Sequence, residues 1–586
     1  MLGRAKLAGR WIASAAIPLV LLAAGCTNGK RENHQSGGDV DHSWSPQSVT
    51  SVKGVPVAAV RAAIQRRLAE KPPEPIEPDV WRHVSTLYGL YAQGPLWFDD
   101  EGVYERRASA LATALADAAG DGIRLERYPI QRLVQDLDSI RHNDHPTAEQ
   151  IADADALFTA TYAALAEDLM TGQVDPRSVS QAWHINPRED HVDSALVLSL
   201  ASASLDKAIT RMRPQFPDYQ FLREQLGKYR ELSSNGGWPS VPEGDELKPG
   251  ASGSTVRLDA LRRRLAAEGY SIQAAPARDG GTSASARRPS SGSAAVYGRA
   301  LAGAVAEFQA RHGIPVDSIL GTETVKSLNV PVTYRMGQIA ANLERFRWLP
   351  RTFGDRYILV NVPAFRLDAY ESGEETLSMK VIVGADYGKR ATPVFSDSME
   401  YVVFRPYWIV PDSIAAREIF PKIEADPGFL ERGHYQFFHE NGNTRVRQLP
   451  GTKNSLGLVK FMFPNDFNIY LHDTPEDQLF EKDVRAFSHG CIRLEKPTEL
   501  AEWVLGWRED KVSAAMQNGP DNRTVTLPRK IPVYIAYFTT YARDGQLYFG
   551  NDLYDRDSSL VNAVASGQSD GDAVRAVMSL KQLIGD

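Results

Sequence analysis

Residues 485–497 read RAFSHGCIRLEKP, and Cys491 lies in that run two places after His489 and two before Arg493. A cysteine attacks a carbonyl as thiolate, and a free thiol is mostly protonated at neutral pH, so it needs a base within hydrogen-bond reach. Two histidines are candidates by position. His489 opens the tight HGC turn, and His472 ends the strand-like run FNIYLHD 17 positions earlier. A carbonyl or carboxylate on the far ring nitrogen would fix the tautomer of whichever one serves. Gly490 lets the backbone approach a substrate, so the amides around Cys491 can line an oxyanion site. Arg493 offers a planar fork for a carboxylate. The alternative reading of Cys491 is a small buried hydrophobe.

The rest of the chain must position these groups, and its N-terminus sets their compartment. Arg4, Lys6 and Arg10 precede the apolar run WIASAAIPLVLLAAG, which is short for a spanning helix and ends in small residues, as a secretory leader does. The run closes as LLAAGC, which resembles the lipobox of bacterial lipoproteins. That resemblance implies cleavage after residue 25, lipid on Cys26 and export to the periplasm as a membrane-anchored lipoprotein. By the same analogy Thr27, not being Asp, favours the outer membrane over the inner. The chain has two cysteines. With Cys26 lipidated, Cys491 has no disulfide partner, which leaves it buried or reactive. Removing residues 1–25, with three basic and no acidic side chains, takes the net charge from −7 to −10. A chain this acidic has no electrostatic footprint for nucleic acid.

At 586 residues the chain is too long for one core, and its 43% apolar content is ordinary for globular protein, so several domains are expected. Residues 26–54 are polar and rich in Gly and Ser, as a flexible tether would be. Residues 55–240 read as a helical scaffold: ALFTATYAALAEDLMTG puts Phe158, Tyr162, Leu165 and Leu169 on one face and stops at Gly172. Two apolar helical stripes, in VRLDALRRRLAAEGY and AVAEFQARHGIPV, mark a module at 247–330, interrupted by a low-complexity insertion at 274–295. From 333 to 540 short runs rich in Val, Ile, Tyr and Phe, such as RYILVNVPAF and MEYVVFRPYWIVP, predict a β-rich domain of sandwich or barrel type. Residues 412–452 have helix and turn character between two such strands, as a lid or an ordinary surface excursion would. Tyr407 and Trp408 just before them are either cleft walls or core aromatics. Residues 541–586 read as a C-terminal tail. The histidines form no H-x-x-x-H or H-x-H cluster, which argues against a zinc peptidase.

His472, fifteen intervening residues and then SHGCIR resemble the signature of L,D-transpeptidases, the YkuD-type catalytic domain of bacterial wall synthesis. The order of helical scaffold, small three-helix peptidoglycan-binding module and catalytic domain is similar to the large YcbB-like branch, as are RFRWLP (345–350), TPVFSD (392–397) and NSLGLVKFMFP (454–464). The expected fold class is multidomain α+β. Carried over, the resemblance implies Cys491 as nucleophile and His472 as general base, with the backbone carbonyl of Asp473 orienting His472. It places Ser488, His489, Gly490 and the amide of Cys491 around the oxyanion pocket and Arg493 on the substrate side, where Tyr407 and Trp408 would also lie if they wall the cleft. It implies acyl transfer through a thioester, from the bond between the third and fourth residues of a wall tetrapeptide to an amine of a neighbouring stem, with no metal or other cofactor. Carbapenems acylate the thiol of this family. Peptidoglycan and, through the lipid, a membrane are the implied partners. Two alternatives stay open at this stage: an L,D-carboxypeptidase of the same fold, and a non-catalytic lipoprotein that tethers wall.

Overall fold

The computed structural model describes residues 48–585 except 93, 186–190, 203, 273–293, 387–389, 427, 441 and 566–569. The leader, Cys26, the tether up to residue 47 and nearly all of the 274–295 insertion therefore lie outside the described residues. Two edges of those segments differ from the sequence expectation. Residues 48–54 are folded: Val49 and Val52 are buried in the helical core, and Lys53 Nζ donates to the carbonyls of Ile140, Arg141 and Asn143 at 2.9–3.0 Å, capping a helix end. At the far side of the insertion, Ala294–Val296 pairs antiparallel with Ser252–Ser254.

The scaffold is built around helix α1 (Ala148–Thr171). Thr147 caps it in a reciprocal box with Gln150, which satisfies orphan amides at its start. Phe158, Tyr162, Leu165 and Leu169 are buried, but so are most residues on its other faces. A helix buried all round sits inside a bundle rather than on its surface, and the surrounding helices supply the rest of that core. Helix α2 (Pro217–Ser234) and helix α3 (Val332–Arg347) pack together where scaffold and catalytic domain meet. The RFRWLP segment ends α3. Fully buried Arg347 donates to the Asp121 carbonyl at 2.8 Å and the Tyr219 hydroxyl at 2.9 Å, and it pairs with Glu344. Glu344 in turn accepts from the Val174 amide at 2.8 Å. Buried charges are tolerated only when paired and hydrogen-bonded, so this motif fastens two domains and stands apart from the chemistry.

The C-terminal residues are not a tail. Helix α4 (Asp570–Gly585) buries Ala573, Ala576, Val577, Leu580 and Ile584 in the scaffold core. Those residues recur at the three- and four-residue spacing of one helical face, a periodicity the reading of 541–586 as a tail overlooked.

Nine strands form the catalytic sheet: β1 (Arg356–Asn361), β2 (Arg366–Glu371), β3 (Glu374–Gly384), β4 (Phe395–Phe404), β5 (Val459–Met462), β6 (Leu471–His472), β7 (Ala486–Ser488), β8 (Ile492–Leu494) and β9 (Arg523–Ala536). Their order is β7-β3-β8-β6-β5-β4-β9-β1-β2, and β2 pairs with β3 as well. The long strand β3 uses 374–380 against β2 and 381–382 against β8, so the ladder returns to its start. The β6–β8, β7–β3 and β9–β1 pairs are parallel and the others antiparallel. Period-two alternation sorts the residues: Val459, Phe461, Leu471, Ile492 and Leu494 face the core, which leaves Lys460, Tyr470, His472, Cys491 and Arg493 on the opposite face.

Candidate active site

Strand register assembles the site. His472 pairs with Arg493 across the parallel β6–β8 ladder, and with Lys460 across the antiparallel β5–β6 ladder. Lys460, His472 and Arg493 therefore form one row over three neighbouring strands. Tyr470 and Cys491 lie one step back along the same face, and the Ile492 amide donates to the Tyr470 carbonyl at 3.1 Å.

His472 stands where β6 ends. Its Nδ1 lies 2.6 Å from the carbonyl oxygen of Asp473. A carbonyl can only accept, so Nδ1 carries the proton and Nε2 keeps its lone pair. That carbonyl is itself fixed, because the Asp473 carboxylate accepts from the amides of Leu458 and Thr474 at 2.7 Å. Gly457 makes room for it: at φ +61°, a Cβ there would come within 2.3 Å of the carboxylate.

The turn that presents the thiol is held from several sides. Gly490 has φ +118°, a conformation that side chains disfavour, and a Cβ there would press on Ile469. The Gly490 carbonyl accepts from Thr392 Oγ1 at 2.9 Å, and Thr392 Oγ1 accepts from the Gly384 amide at 3.0 Å. Tyr554, from the C-terminal segment, donates to the Gly384 carbonyl at 2.6 Å and accepts from the Thr392 amide at 3.2 Å. Ser488 Oγ donates to the Cys491 carbonyl and accepts from the Gly490 amide at 3.0 Å. The Gly490 amide is thus occupied, whereas the Cys491 amide has no partner among the described residues. The other sequence-derived candidates fall into place differently. His489 turns its Nε2 to Glu418, 2.7 Å away, and the same carboxylate takes Arg390 at 2.7 Å. Arg493 is already ion-paired with Glu476.

Lys460, Tyr470, His472, His489, Cys491 and Arg493 line a cleft of about 990 Å³. One wall is an inserted subdomain: Trp408–Ile409, Asn443–Gln448 and Tyr435–Glu440 form a three-stranded sheet in that order, with helical turns over 412–425. It has its own apolar cluster of Val410, Ala415, Ile419 and Val446. Tyr407 and Trp408 line the cleft, and Trp408 also packs on that cluster, while the Arg447 guanidinium lies 4.5 Å from the Tyr407 ring centre. Lys460, Tyr470, Glu418 and Thr392 were not singled out from sequence. The motifs TPVFSD and NSLGLVKFMFP contain Thr392 and Lys460, but only the register and the folded turn give those side chains a place.

The surroundings of the His472 imidazole and the Cys491 thiol both favour the neutral form. Burial, reinforced by the charge of Arg493 and then Lys460, takes the His472 imidazole down to about 3, against the pull of the Asp473 carbonyl. Burial pushes the half-buried Cys491 thiol up to about 11, with Tyr470, Lys460 and Arg493 opposing. At pH 7 the thiolate fraction is on the order of 10⁻⁴. Alkylation of Cys491 by iodoacetamide is therefore expected to climb about tenfold per pH unit between pH 6 and 9. A plateau below pH 8 would instead indicate a preformed thiolate–imidazolium pair.

Residues 355–535 match the family model described as "L,D-transpeptidase catalytic domain". That stretch is similar to L,D-transpeptidase catalytic domains. Residues 256–328 match the "Putative peptidoglycan binding domain" family and residues 82–226 a "Scaffold domain". A curated protein of Haemophilus influenzae named "Putative L,D-transpeptidase" is 31% identical over 245 residues, 38% of this chain and 48% of the relative. The chain thus spans about half the length of the curated relative it matches. The L,D-transpeptidase of Xylanimonas cellulosilytica, a solved structure, is 16% identical over 50% of this chain and 99% of its own, with a TM-score of 0.15, too low to bear on the fold. The multidomain α+β architecture, with a β-rich L,D-transpeptidase domain beside a peptidoglycan-binding domain, agrees with the sequence expectation.

Proposed function

We propose that this protein is an L,D-transpeptidase that cross-links peptidoglycan by two acyl transfers on Cys491. The observation that carries the reading is the tautomer of His472. With Nδ1 committed to the Asp473 carbonyl, Nε2 is the ring's only acceptor, on the same sheet face as Cys491, which leads into the adjacent strand. As Sγ attacks the carbonyl carbon between the third and fourth residues of a donor stem, Nε2 takes the thiol proton. The oxyanion forms at the free Cys491 amide. Collapse breaks the C–N bond, His472 returns the proton to the leaving amine, and a thioester remains. An acceptor amine then attacks that thioester while His472 takes its proton, and Sγ leaves and is reprotonated. One amide is broken and one made, so no external energy source is needed.

The cleft suits an acidic peptide. Arg390, Arg417, Lys422, Arg445, Lys460 and Arg493 line it against three acidic side chains, Asp412, Glu418 and Glu476. In this reading the 412–452 insertion is a lid, with the Glu418–His489 contact as its latch.

The test is mass spectrometry of purified disaccharide-tetrapeptides after incubation with the protein. The expected product is a cross-linked dimer lighter by one C-terminal residue and carrying the bond between two third residues. Tripeptide alone would assign an L,D-carboxypeptidase, in which water replaces the acceptor. Unchanged tetrapeptide would overturn both.

A further inference from the structure

The sheet strands contribute two cations to the cleft beside the reacting pair, Lys460 and Arg493, and their situations differ. Arg493 is held by Glu476. The Lys460 ammonium has neither an ion pair nor a hydrogen bond among the described residues, and its Nζ lies 5.6 Å from the centre of the Tyr470 ring. It is half-buried. An ammonium withdrawn from water without an anion is unfavourable, and burial lowers the pKa of Lys460 below its ordinary value. A ligand carboxylate would relieve that cost.

The row of side chains says which carboxylate. Cys491 leads into β8, His472 is on β6 and Lys460 is on β5, and neighbouring strands lie about 4.8 Å apart. In the reaction proposed above, the acyl carbon joins Sγ while the leaving amine takes its proton from His472. The leaving residue therefore lies over His472, directed away from Cys491. Its carboxylate carbon is two bonds from that amine, on the side where β5 runs. We propose that Lys460 binds the carboxylate of the departing C-terminal residue, so that the cleft selects donor stems ending one residue beyond the bond it breaks. A stem longer by one residue would carry its carboxylate past Lys460 and bring an amide there instead.

This inference rests on the proposed acyl transfer, and its test separates the two. Two donor tetrapeptide stems are compared, one with a free C-terminal carboxylate and one with a C-terminal carboxamide, using the full chain and the variants Lys460→Met and Lys460→Arg. The wild type is expected to favour the carboxylate donor by about 10- to 100-fold in kcat/KM, mostly through KM, the usual weight of one charged hydrogen-bonded contact. Lys460→Met should bring that ratio close to one, and Lys460→Arg should restore part of it. An equal loss on both donors, or a ratio untouched by Lys460→Met, would overturn the assignment while leaving the acyl transfer standing. If the wild type turned over neither donor, the reaction itself would fall, and this inference with it.

Discussion

Cys491→Ala is expected to abolish turnover and covalent acylation together. The substitution removes the only thiol among the described residues, and no neighbouring group can take over the acyl transfer. Ser488 Oγ is the closest hydroxyl in sequence, but it is buried and committed to the Cys491 carbonyl and the Gly490 amide. Cys491→Ser should be nearly as inactive. The site already holds a thiol at about 11, and a hydroxyl in the same surroundings is far harder to deprotonate. Intact-protein mass after exposure to a carbapenem provides the readout: one adduct on the wild type and none on Cys491→Ala. Equal labelling of the two would place the nucleophile elsewhere. Because Cys491 is only half-buried at the edge of the core, the alanine variant should keep its fold, and an unchanged thermal midpoint would establish that the loss is chemical.

Replacing His472 by glutamine should lower kcat/KM by roughly 10²- to 10⁴-fold, the range for a positioned general base. Some activity should survive, since the Cys491 amide and the cleft are untouched. The surviving activity has a signature. Without an imidazole to accept the proton, turnover depends on the small thiolate fraction in solution and should rise about tenfold per pH unit below the thiol pKa. His489→Ala should cost less than about tenfold, because its ring is turned to Glu418 on the inserted subdomain. Comparable losses in the two variants would contradict the assignment of His472 as the base and would make the Glu418–His489 contact part of the chemistry.

What the sequence by itself determined is local. SHGCIR marks the candidate nucleophile because a glycine beside a cysteine in a tight turn is a short-range feature, and Gly490 does adopt the positive φ that the turn requires. The scaffold helices and the β-rich texture after 333 are equally legible, since apolar spacing of 3.6 or 2 is written within a few residues. Even there the reading of 541–586 as a tail passed over the periodic face of α4, whose burial partners lie more than 400 residues earlier. Tertiary structure decided everything that depends on which side chains meet. The sequence offered two histidines; the β6–β8 register places His472 on the face of Cys491, and the ring of His489 goes to Glu418 instead. Arg493 read as an open fork, but Glu476 closes on it, whereas the ammonium of Lys460, on a strand never marked as part of the site, has no ion pair among the described residues. Thr392 and Tyr554 support the thiol turn from about 100 residues before it and about 60 after. Strand pairing shifted by one residue would turn Lys460, His472 or Arg493 to the opposite face. That register is fixed by hydrogen bonds between distant segments and by burial of Val459, Phe461, Leu471 and Ile492, and neither is visible in the spacing of the residues that do the chemistry.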